Sequence, residues 1–89
     1  MSRPPRKETP VFNRLEQVRI DRGLTRQDLA DAVGVHYQTI GYLERDEYSP
    51  SLSLALRLAS ALEIAVGDLF SLYPWVDEPV PTPVPELAR

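Results

Sequence analysis

A single histidine, His36, no cysteine and no glycine-rich phosphate loop leave this chain without a nucleophile–base pair for bond-breaking chemistry. The carboxylates fall mostly at positions that helical spacing puts on solvated faces, and His36 has no partner at metal-ligand spacing. Neither an enzyme nor a metal or other cofactor is expected. The chemistry that remains is hydrogen bonding. Gln38 can donate and accept at once, Tyr37 stands beside it, and Tyr42 follows one helical turn later. Arg26 and Arg45 bracket the group with positive charge. Such a set suits recognition: paired hydrogen bonds from the glutamine, hydroxyl or methyl contacts from the tyrosines, and anion contacts from the arginines. Tyr37 and Tyr42 could alternatively be half-buried packing residues.

The elements that must position these side chains are helical. Apolar residues recur at helical spacing from 11 to 72, and no period-2 stretch is long enough for a strand. The first helix is expected over Val11 to Arg22, with Leu15 and Val18 inward and a stop at Gly23. Thr25 should cap the second, with Asp28 against the positive end of its dipole, Leu29, Ala30 and Val33 buried, and Gly34 ending it at positive φ. The third covers about His36 to Arg45, with Ile40 and Leu43 inward. Ser51 should cap the fourth, whose Leu52, Ala55, Leu58, Ala59 and Leu62 share a face. A short fifth helix, about Val66 to Leu72, closes the core with Leu69 and Phe70. The expected fold class is therefore all-α, with five helices and no strands.

Around this middle zone lie two proline-rich ends. Residues 1 to 10 hold three prolines with Arg3, Arg6 and Lys7 and read as a flexible basic arm, either solubilising the terminus or reaching a ligand. Residues 73 to 89 hold five of the nine prolines and should be extended or polyproline-like. The 89 residues support one small domain. No apolar run approaches a membrane span, no secretory h-region follows the basic start, and a cysteine-free chain fits a reducing, cytoplasmic setting.

Residues 29 to 51, LADAVGVHYQTIGYLERDEYSPS, resemble the helix-turn-helix of the phage Cro/repressor type, the XRE family of small bacterial regulators. The matching positions are Leu29 and Ala30, Gly34 and Val35, and Ile40 and Leu43, within a motif of about 26–45. The likeness extends to RGLT before the motif and to LER-x-x-Y-x-PSL-x-LALRLA-x-AL and DLF after it, so it covers about residues 11 to 72. It implies a lambda-repressor-like fold and a transcriptional regulator, as a repressor on operator DNA, binding as a homodimer with the third helix in the major groove. It further implies base contacts from His36, Tyr37, Gln38 and Tyr42, and phosphate contacts from Thr25, Arg26 and Arg45. Arg3, Arg6 and Lys7 could then form a minor-groove arm. Arg19 and Glu44 correspond to a structural ion pair beneath that surface.

The sequence departs from the family pattern at Asp46 and Glu63, which stand where a glycine often follows a helix. The charge is also unusual for a DNA-binding protein. The formal net charge is −3, with eight basic and eight acidic residues in 1–50 but two and five in 51–89. The excess acidity therefore falls in the fourth and fifth helices and the tail, away from the expected face. A rival function is an antitoxin or adaptor that holds a protein partner through the tail, where Leu72, Tyr73, Trp75 and Val76 are apolar.

Overall fold

The computed structural model describes residues 10–85. The arm residues Arg3, Arg6 and Lys7 lie outside them. Five helices follow in order: α1 (Leu15–Asp21), α2 (Arg26–Val33), α3 (Tyr37–Glu44), α4 (Leu52–Ala61) and α5 (Val66–Leu69). Leu15, Val18, Leu29, Ala30, Ile40, Leu58, Leu62 and Leu69 are wholly shielded from solvent and make one core between the helices. Ala30 permits the crossing of α2 and α3, because a larger side chain there would force the two backbones apart.

Two short strands correct the strand-free expectation. β1 (Phe12–Asn13) pairs antiparallel with β2 (Phe70–Ser71), matching Phe12 to Ser71 and Asn13 to Phe70. This pairing explains why α1 begins at Leu15 and not at Val11. The Arg14 amide donates to the Leu69 carbonyl at 3.1 Å, and the Asn13 side chain accepts from the Leu15 amide at 3.0 Å, so residues 12–14 are held extended. The same ladder ends α5 at Leu69, short of Leu72, because Phe70 turns to φ −127°. A second correction concerns α4. Leu52 is 75% exposed, and Leu54 joins Ala55, Leu58, Ala59 and Leu62 in the buried stripe instead.

Four helix ends share one device. Gly23, Gly34, Asp46 and Glu63 all have positive φ, and each turn closes by a backbone bond to the helix it ends. Only glycine adopts that conformation freely, so Asp46 and Glu63 hold it at some conformational cost. The starts of α2, α3 and α4 are capped by side chains. Thr25 accepts from the Asp28 amide while Asp28 accepts from the Thr25 amide, and Ser51 accepts from the Leu54 amide.

The tail lies along its own domain. Arg14 is buried and donates from Nε to the Asp68 carbonyl at 2.7 Å and from Nη1 to the Glu78 and Pro79 carbonyls at 3.3 Å. Its guanidinium sits 4.6 Å from the centre of the Trp75 ring. Val80 packs on the core, and the Val84 amide donates to the Glu63 carbonyl at 2.8 Å. Of the apolar tail residues offered to a partner, Leu72, Tyr73 and Val76 are exposed on this chain. Contact is made by Trp75 and by residues further along.

Candidate nucleic-acid interface

The α2–α3 pair leaves one face of α3 uncovered, and the capping chemistry fixes how that face begins. His36 is the cap of α3, accepting from the Gln38 amide through Nδ1 at 3.1 Å. A nitrogen that accepts carries no proton, so neutral His36 must present an Nε2–H donor outward. Its ring also leans on Tyr37, with centroids 4.6 Å apart. Tyr37 is 46% and Tyr42 41% exposed, so both tyrosines present much of their rings to solvent. Gln38 is exposed between them, and its side chain has no partner among the described residues.

Tyr37, Gln38, Gly41, Tyr42, Arg45 and Arg26 line one shallow depression of about 170 Å³. Three of the four residues proposed to meet bases therefore share a concavity with both arginines. His36 sits at the rim as the cap, and Thr25 stands at the start of α2, where its hydroxyl oxygen accepts from the Asp28 amide. The Thr25 backbone and hydroxyl together hold the Asp28 carboxyl below its ordinary value of 3.8, the backbone bond contributing most.

Glu44 organises the cations beneath this face. Its side chain is only 2% exposed. It receives Arg19 Nε at 2.6 Å and Arg26 Nε at 2.9 Å, so Arg19 and Arg26 share one carboxylate. Arg19 also donates to the Leu24 carbonyl at 2.9 Å, and Arg26 reaches Glu16 at 3.5 Å. The other arginine of the face, Arg45, donates from Nε to Glu47 at 3.0 Å and from Nη2 to its second oxygen at 3.4 Å. That hydrogen bond raises the Arg45 pKa above its ordinary value.

The remaining described cations are committed to the fold. Arg14 anchors the tail, Arg22 donates to the Leu62 carbonyl at 2.8 Å, and Arg57 donates to the Val33 carbonyl at 2.6 Å. Arg57 thus closes the end of α2, and Arg22 the end of α4. Sequence reasoning missed these three, and also missed Glu16 and Glu47 as partners of the surface arginines. The Arg57–Val33 and Arg22–Leu62 contacts join distant parts of the chain and leave no local pattern. Glu47 was legible as a nearby charge but not as a ligand of Arg45.

A family model described as helix-turn-helix matches residues 15–69. The chain belongs to that family, the Cro/repressor type. Relatives named as HTH-type transcriptional regulators are similar to part of the chain. An uncharacterised HTH-type transcriptional regulator of Methanothermobacter thermautotrophicus is 52% identical over 59 residues, 65% of this chain and 86% of the relative. One from Archaeoglobus fulgidus is 40% identical over 57 residues, 64% of this chain and 81% of the relative. The regulator YgzD of Bacillus subtilis is 33% identical over 66 residues, 74% and 94% respectively. The match runs from the start of α1 to the end of α5, and the Tyr37–Gln38–Tyr42 face is the exposed side of α3.

Proposed function

We propose that this protein is a DNA-binding transcription regulator, not an enzyme, that acts in the cytoplasm as a repressor and binds operator DNA as a homodimer. The observation that carries the reading is the uncovered face of α3, which sets Tyr37, Gln38 and Tyr42 beside Arg26 and Arg45 in one depression. Placed in the major groove, the start of α3 meets base edges. Gln38 supplies the bidentate amide that suits adenine or guanine acceptors, His36 adds an Nε2–H donor, and the tyrosines meet thymine methyls or phosphate oxygens. Thr25 and Arg26 lie at the start of α2, where the helix N-terminus favours a phosphate. Arg45 joins the surface from the end of α3. If Arg3, Arg6 and Lys7 also reach the duplex, they extend the same surface into the minor groove.

The acidic balance of the chain is consistent with this reading because binding responds to one face. That face offers few cations, and both described ones are already ion-paired. Binding should therefore be less salt-sensitive than for a strongly basic repressor, each phosphate contact adding about 0.9 to the log–log slope.

Affinity against salt concentration tests the roles, on a selected duplex and on its scrambled counterpart. Gln38→Ala should cost about 1–3 kcal/mol on the selected duplex only. Arg26→Ala should weaken both alike and reduce the slope by roughly one per subunit. Equal loss on both duplexes for Gln38→Ala would defeat the assignment. A protein-binding role for the tail is the second reading, favoured by the row of exposed apolar side chains at Leu72, Tyr73 and Val76 beside the anchored Trp75.

A further inference from the structure

The turn after α3 fixes one carboxylate against one arginine. Asp46 takes φ 59°, and the Arg45, Asp46 and Glu47 amides donate back to the Gly41, Leu43 and Tyr42 carbonyls at 3.1, 3.1 and 2.9 Å. The Asn13 side chain clamps this turn from β1, donating to Asp46 Oδ1 at 2.7 Å and to the Leu43 carbonyl at 3.2 Å. Glu47 is thereby carried back beside Arg45. Its carboxylate accepts from Arg45 Nε at 3.0 Å and from Nη2 at 3.4 Å.

Glu47 sets both oxygens on one edge of the guanidinium, the arrangement a phosphate adopts in a bidentate contact. The remaining nitrogen, Nη1, is turned toward buried Gly41, where a Cβ would lie 3.1 Å from it, and Cζ lies 5.5 Å from the Tyr42 ring centre. Arg45 therefore has no outward edge to offer a phosphate while Glu47 is in place. Arg26, the other described cation of this face, is held differently. Its Nε goes to buried Glu44 at 2.9 Å, whereas among the described residues its Nη groups meet only Glu16, at 3.5 Å, so Arg26 keeps donors for a phosphate. The Arg45–Glu47 pair is half-exposed on both sides, and such a pair favours the closed form by about fivefold at most. DNA can open a latch of that strength.

We infer that Glu47 is a specificity-determining residue: it occupies the phosphate-binding edge of Arg45, so that Arg45 joins a DNA complex only where a phosphate is held in register to displace the carboxylate. The inference rests on the DNA-binding reading above and deepens it. Glu47 acts through Arg45, as a positioning residue. On a non-cognate duplex the contacts are electrostatic and slide along the backbone, and the tethered carboxylate takes the arginine back. On a cognate duplex the base contacts of α3 fix the register, and one phosphate stays where Nε and Nη2 can bond to it. The closed pair carries no net charge, so bringing it beside the duplex displaces few counterions. One carboxylate at the end of α3 thus keeps non-cognate binding weak.

The test is a double-mutant cycle on the full chain. Wild type, Glu47→Gln, Arg45→Ala and the double variant are each titrated, over a range of salt, against a duplex selected from a randomised pool and against its scrambled counterpart. Glu47→Gln should tighten binding to the scrambled duplex by about 1.5- to 5-fold per subunit and to the selected duplex by less, so that discrimination falls. On the scrambled duplex the log–log salt slope should steepen by about 0.9 per subunit, the share of one phosphate. In the Arg45→Ala background Glu47→Gln should change neither quantity, because the partner it releases is gone. Circular dichroism melting establishes that each variant is folded, which these half-exposed side chains should allow. If Glu47→Gln tightens both duplexes equally, or fails to tighten the scrambled one, Glu47 does not set specificity and the inference falls. If its effect survives in the Arg45→Ala background, Glu47 repels DNA directly, and the latch is refuted. If the folded wild type enriches no duplex from the randomised pool, the DNA-binding reading itself fails, and the inference with it.

Discussion

Glu44→Gln isolates the energetic centre of the domain with almost no change of shape. The carboxylate it removes is 2% exposed and faces Arg19, whose side chain is 10% exposed. Without it the Arg19 guanidinium stays in a largely dry site with no opposite charge beside it, and the amide offers one acceptor oxygen where Arg19 and Arg26 each used one. Stranding one member of a buried pair typically costs about 3–5 kcal/mol. Arg19 keeps the Leu24 carbonyl at 2.9 Å and a distant Glu16 carboxylate at 3.9 Å, which places the cost near the lower end. Arg26 is 42% exposed, and its share is discounted as a solvent-screened contact. At about 4–8 °C per kcal/mol for a domain of this size, a 3 kcal/mol loss lowers the melting temperature by about 12–24 °C. Thermal unfolding followed by circular dichroism reads this directly. The double variant Arg19→Met, Glu44→Leu should recover most of the loss, since an apolar pair strands no charge. A Glu44→Gln melting point within about 4 °C of wild type would refute the argument. So would a double variant as unstable as the single one, because the cost would then lie in packing.

Other outcomes follow from the same structure. Ala30→Leu should destabilise by about 1–3 kcal/mol in urea unfolding, since Ala30 is fully buried where α2 and α3 cross. Glu63→Gly should raise stability by about 0.5–1 kcal/mol by relieving a side chain at φ 53°, a gain visible in the same unfolding curves. Trp75→Ala should cost about 1 kcal/mol by removing the ring from buried Arg14, and protease cleavage after the tail residues should speed up. Asp28 supplies a pH dependence. Its folded pKa is lowered by Thr25, so the stability it contributes is present above the ordinary value of 3.8 and is lost as pH falls through the lower folded value. Asp28→Asn should flatten the acid limb of a stability-versus-pH profile, and an unchanged limb would rule the capping carboxylate out as its source.

The helices were legible because each signal is local. Thr25 with Asp28 three residues later, Ser51 after Pro50, and Gly23 and Gly34 after apolar stripes specify starts and stops within one turn of chain. The stripe of Leu29, Ala30 and Val33 fixes which side of α2 is buried, and the leftover side of α3 is then Tyr37, Gln38 and Tyr42. Leu52 misled because helical spacing alone cannot say where the edge of a buried stripe falls in a first turn open to solvent. Strand β1 was invisible for a related reason. Phe12 and Asn13 become extended only because Phe70 and Ser71 arrive beside them, a pairing that closes a long loop and leaves no periodicity in two residues. The tail shows the same division. Its proline spacing forbids a helix whatever surrounds it, but its course depends on buried Arg14 offering donors to the Glu78 and Pro79 carbonyls. Charge is where tertiary structure decides most. The sequence sets how many arginines there are, whereas the fold commits Arg14, Arg22 and Arg57 to carbonyls, shares Glu44 between Arg19 and Arg26, and turns Arg45 back over Gly41. Ionic and hydrogen-bonding partners are chosen by proximity in space, and proximity between residues 25 or 40 positions apart exists only once the core has closed.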